Sequence, residues 1–98
     1  MITNIVVATI TAYCAGKCCC GPNAKGICAN GQRPKEGITM AASRIYPFGT
    51  RVILAEKTYQ VQDRLAKRYD SRFDIYFESH EKAKQFGIKT QEVKVIIR

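Results

Sequence analysis

Three aspartates, Asp63, Asp70 and Asp74, fall in one short stretch of a chain whose other charges are mostly basic. Asp74 sits inside the apolar run Phe73-Asp74-Ile75-Tyr76-Phe77. Burying an unpaired carboxylate is costly, so such an aspartate is either tied into a hydrogen-bond network or kept protonated for proton transfer. Asp74 is therefore the candidate general acid and base. Asp63 closes the strand-like run Tyr59-Gln60-Val61-Gln62 and is the candidate group that tunes the pKa of Asp74; its plainer role is a strand-end cap or a partner for Arg72. Asp70, in Tyr69-Asp70-Ser71-Arg72, reads as a turn residue, because aspartate bonds its own backbone in turns. His80 is the sole histidine and is expected at the surface, so a histidine-activated nucleophile has no supporting cluster.

The elements that must position these acids are short strands. Residues 4–13 are rich in Ile, Val and Thr and predict a strand. Residues 14–36 carry Cys, Gly, Pro, Asn and Lys without a hydrophobic period and predict a long connection. Strands follow at 37–42, 51–54, 58–62, 73–77 and 91–97, with Tyr46-Pro47-Phe48-Gly49-Thr50 as a turn and Ala55-Glu56-Lys57 as a hairpin tip. One helix is predicted from His80 to Phe86, capped by Ser79, with Glu81 in its first turn and Gly87 past its end. Six strands and one short helix in a single domain, residues 1–98, predict an all-β fold closed into a small barrel.

The 98 residues hold one modest core, and a 46% hydrophobic content is that of a folded chain. The net charge of +8 favours polyanionic partners: nucleic acid, an anionic membrane surface or the acidic polymers of a bacterial wall. Nucleic acid is not expected, because no recognised binding signature accompanies the charge. No apolar run is long enough for a membrane-spanning helix. The opening Met1 to Ile10 lacks a basic n-region and reads as a strand, so no signal segment is expected within this chain.

Cys14, Cys18, Cys19, Cys20 and Cys28 crowd into one segment. Their density points to an oxidising, extracytoplasmic compartment with one or two disulfides. Thiols left reduced and a zinc site are the rivals, although two separated Cys-x-x-Cys knuckles are lacking. No metal or cofactor is expected.

Several blocks in order carry a resemblance. They are Thr11-Ala12-Tyr13-Cys14, Cys19-Cys20-Gly21, Gly37-Ile38-Thr39-Met40-Ala41-Ala42, Pro47-Phe48-Gly49-Thr50-Arg51-Val52, Asp63, and Arg72-Phe73-Asp74-Ile75-Tyr76-Phe77. Together, over residues 9–97, they resemble the three-aspartate domain, a bacterial cell-wall domain related to the catalytic barrel of membrane-bound lytic transglycosylase A. The resemblance implies a six-stranded double-psi β-barrel, secreted or held in the cell envelope, acting as a monomer on peptidoglycan glycan strands. It places the catalytic acid at Asp74 and the second aspartate of the family at Asp63. Ser43 stands where the family usually has its first aspartate. The loop between Asp63 and Asp74 lacks the usual glycines, with Lys67 and Tyr69 near the place of a substrate-touching lysine.

The implied chemistry needs one carboxyl. The protonated acid gives its proton to the glycosidic oxygen between MurNAc and GlcNAc as the C1–O bond breaks. The resulting carboxylate then takes the proton of the same sugar's C6 hydroxyl, whose oxygen bonds to C1 and closes a 1,6-anhydro ring. Near neutral pH this requires Asp74 to titrate well above the usual value of about 3.9. Desolvation and the Asp63 charge are the expected causes, with desolvating groups from other strands because Phe73 and Ile75 face the other way. Thr11, Tyr13, Ser43, Lys67, Tyr69 and Arg72 are the candidate substrate-binding residues, with Arg33 and Lys35 as further basic side chains for sugar or peptide carboxylates. Two other functions fit the same chain: a non-catalytic glycan-binding module of the expansin type, which Ser43 and the altered loop favour, and a metal- or protein-binding module built on the cysteine segment.

Overall fold

The computed structural model describes residues 2–14, 28–65 and 72–97. Among them the chain forms β1 (Ile2–Tyr13), β2 (Thr39–Ala42), β3 (Arg51–Leu54), β4 (Lys57–Arg64), β5 (Arg72–Tyr76), α1 (His80–Phe86) and β6 (Lys89–Ile97). The strands close into one barrel in the order β1-β5-β2-β4-β3-β6. Among the described residues the fold is the expected all-β barrel with one short helix.

Period-two alternation fills the barrel. Ile10 on β1, Phe73 and Ile75 on β5, Val52 and Leu54 on β3, Tyr59 and Val61 on β4, and Val93 and Val95 on β6 share one buried cluster with Met40 and Ala42. Truncating a fully buried member such as Ile75 to alanine would cost about 2–5 kcal/mol. β2 is buried along its whole length, Thr39 to Ala42, which explains its short apolar sequence. Helix α1 starts as the sequence predicts: the Ser79 hydroxyl accepts the Lys82 N–H at 3.0 Å, and Gly87 takes φ +70° beyond the last turn.

Only β3 and β4 are neighbours both in sequence and in the barrel; the other four connections each pass one strand, and two of them, β1 to β2 and β4 to β5, interleave. β5 lies between β1 and β2, parallel to β1, and β2 lies between β4 and β5, parallel to β4. The links from β1 to β2 and from β4 to β5 each pass an intervening strand, the pair of interleaved crossovers that a double-psi barrel requires.

Some boundaries differ from the sequence reading. β1 begins at Ile2 and β6 at Lys89, because each continues the antiparallel ladder that joins Ile2 to Ile97 and Ile10 to Lys89. Residues 36–38 form a turn ahead of β2, in which the Ile38 and Thr39 amides both donate to the Lys35 carbonyl. Asp63 lies within β4, one residue before its end.

Candidate active site

The register of four strands assembles the site. Thr11 of β1 is opposite Asp74 of β5, Asp74 is opposite Ala41 of β2, and Ala41 is opposite Asp63 of β4. Partners in register share a face, so these four side chains form one rung across the outside of the barrel. The last pairing depends on an irregularity. Met40 pairs with Val61 but Ala41 pairs with Asp63, leaving Gln62 as the extra residue of a bulge. Bulges re-aim the side chains that follow them. Here the effect is to set Asp63 beside Ala41, with Ala41 standing between the two acids.

Asp74 is half-buried, and its Oδ1 accepts the Thr11 hydroxyl at 3.0 Å. Loss of solvent raises its pKa to about 6, with the Asp63 charge adding to the rise; the Thr11 hydrogen bond and the Arg72 charge oppose it. Phe73 and Ile75 belong to the barrel core, so desolvation comes from the neighbours on the outer face, as alternation predicts.

Asp63 is held by three donors. Its Oδ2 accepts the Tyr13 hydroxyl at 3.1 Å, and its Oδ1 accepts the Ala29 and Arg64 amides, each at 2.9 Å. These three donors fix the orientation of the Asp63 carboxyl. The Ala29 amide belongs to the 28–32 turn, which is fastened to β4 by Asn30 N–H on the Gln62 carbonyl and by the Gln62 side chain on Gln32 Oε1. Tyr13 is buried, and desolvation first, then Asp63, pushes its pKa far up, so it remains a donor. Its ring meets Tyr76 edge to face at 5.6 Å. With Ala41 and Leu65 these two tyrosines form a second apolar cluster, apart from the barrel core.

Ser43 follows β2 and is buried; its hydroxyl accepts the Ile45 N–H at 3.3 Å, which fixes the turn toward Tyr46. An aspartate at this place could accept the same bond, so the serine retains that turn contact while contributing no charge. Arg72 is opposite Thr9 on the acid face, two residues before Asp74. Lys67, Tyr69 and Asp70 lie outside the described residues, as do Cys18, Cys19 and Cys20. Cys14 and Cys28 are buried and no disulfide joins them; Cys14 Sγ lies 4.0 Å from Nδ1 of the exposed His80. Among the described residues no three acidic, histidine or cysteine side chains are grouped to hold a metal ion, and no helix is long and apolar enough to cross a membrane.

The site therefore unites Thr11, Tyr13, Asp63 and Asp74 of the expected set. Ala29, Ala41, Arg64 and Tyr76 were not anticipated. The Ala41-Ala42 pair was a usable signal, because small residues in a strand let neighbouring groups approach; a backbone amide from a turn leaves no residue-type signal at all. The chain matches no protein-family model and no curated protein.

Proposed function

We propose that this barrel is a lytic transglycosylase that cleaves the MurNAc–GlcNAc bond of peptidoglycan and leaves 1,6-anhydro-MurNAc ends, acting as a monomer in the cell envelope. The observation that carries the reading is the asymmetry of the two acids. Asp74 is desolvated, has one side-chain donor and has its pKa raised to about 6; Asp63, across Ala41, accepts from three donors. A carboxyl with a raised pKa beside a second carboxylate whose charge adds to that rise is the arrangement expected of an acid and its tuning group.

Asp74 donates its proton to the glycosidic oxygen and, as a carboxylate, accepts the proton of the C6 hydroxyl. Thr11 engages Oδ1, which leaves Oδ2 to carry the proton. The Asp63 charge raises the Asp74 pKa and so keeps Asp74 protonated to higher pH. No water is consumed, so a half-buried acid suits the reaction better than an exposed one.

A second reading, a glycan-binding module without catalysis, is favoured by Ser43, where a turn-forming hydroxyl supplies no third carboxylate. Co-sedimentation with purified sacculi, alongside release of soluble fragments, separates the two. Release by the wild type that is lost in Asp74→Asn, with sedimentation retained, fits the enzyme. Sedimentation by both proteins with release by neither establishes the binding module.

A further inference from the structure

The acid rung has two neighbours on the same face, each about 7 Å away along the strands. On one side Tyr13 and Tyr76 pair in register, and both are buried, so that side is closed. On the other side Thr9 is opposite Arg72 across β1 and β5, and opposite Thr90 across β1 and β6. Thr9 and Arg72 are half-buried and Thr90 is exposed. Among the described residues, the accessible part of this face next to the acid rung is therefore Thr9, Arg72 and Thr90.

We propose that Thr9, Arg72 and Thr90 form a specificity subsite for a carboxylate-bearing sugar unit next to the bond that Asp74 attacks. This rests on the glycan-cleaving reading above. A guanidinium presents paired N–H donors that match a carboxylate, and the flanking threonine hydroxyls supply donors and acceptors for sugar hydroxyls. The Arg72 charge already acts on Asp74. A substrate carboxylate that engages Arg72 would offset that charge, so a correctly seated anionic unit would also favour the protonated form of Asp74. Glycan strands offer two sources of the carboxylate: the lactyl group of a sugar stripped of its peptide, and the carboxylates of an attached peptide.

Calorimetric titration of the whole chain tests this with three probes: peptide-free glycan strands, the same strands with their carboxyls amidated, and peptide-bearing strands. The wild type should prefer one carboxylate-bearing probe to the amidated strands by about tenfold, the usual scale of a charged hydrogen-bonded pair. Whichever probe is preferred identifies the source. Arg72→Gln should reduce the preference to less than about twofold, Arg72→Lys should keep part of it, and Thr90→Val should weaken all three probes alike. A preference that survives Arg72→Gln overturns the subsite while leaving the glycan reading intact. Absence of binding to any of the three probes by the wild type overturns both.

Discussion

At the scale of single residues, the central feature is a carboxyl kept partly out of water. The ordinary pKa of Asp74 is 3.8 and the folded value is about 6, so folding favours its protonated form. The associated stability is fully present below about pH 3.8 and is lost as pH rises through about 6. The loss is on the order of 2–3 kcal/mol at neutral pH. Asp74→Asn, neutral at every pH, should therefore melt several degrees above the wild type at pH 7.5 and close to it at pH 4; thermal unfolding at the two pH values reads this directly. An Asn variant that melts lower than the wild type at pH 7.5 would mean that the carboxylate is stabilising and the site is structural. Catalysis should show the same titration, with turnover falling as pH rises above about 6. The Thr11 hydroxyl pulls the Asp74 pKa down, so Thr11→Val should move that limb to higher pH by about half a unit to one unit. A limb that stays in place would show that the hydrogen bond does not discriminate between the two protonation states.

Elements decide where these residues can stand. The runs around Ile10, Ile75 and Val95 announced their strands through β-branched, alternating side chains, and Ser79 with Gly87 bounded the helix, so nearly every element was legible. The acid Asp74 was legible for a related reason: a charge in an apolar strand has few structural explanations. What could not be read was the alignment between strands distant in sequence. Nothing local to Gln62 signals a bulge, yet the bulge sets Asp63 opposite Ala41 and so beside the acid. Nor could composition reveal that Ala29 would give its amide to Asp63 from the far end of the cysteine segment. The hairpin between β3 and β4 offers a test at this scale. Ala55 and Glu56 occupy its two turn positions with φ of +49° and +69°, a left-handed pair that glycine and asparagine adopt more cheaply. Glu56→Gly should raise stability by about 1 kcal/mol in chemical denaturation and leave glycan cleavage unchanged. A destabilised variant would mean that the Glu56 side chain makes contacts that outweigh the backbone strain.

For the whole molecule, fold and function are joined by the crossovers. They bring β1, β2, β4 and β5 side by side although β3 separates β2 from β4 in sequence, and only that order lines up Thr11, Asp74, Ala41 and Asp63. The +8 charge favours polyanions in general, and on the proposed reading it would draw the protein to the anionic wall before any specific contact forms. Proton transfer by Asp74 as proposed would leave a chemically distinctive product. Purified murein incubated with the protein and examined by mass spectrometry should yield muropeptides one water lighter than hydrolysis products, ending in 1,6-anhydro-MurNAc. These should disappear with Asp74→Asn while persisting with Asp70→Asn. Products carrying reducing ends, or anhydro products that survive Asp74→Asn, would contradict the account.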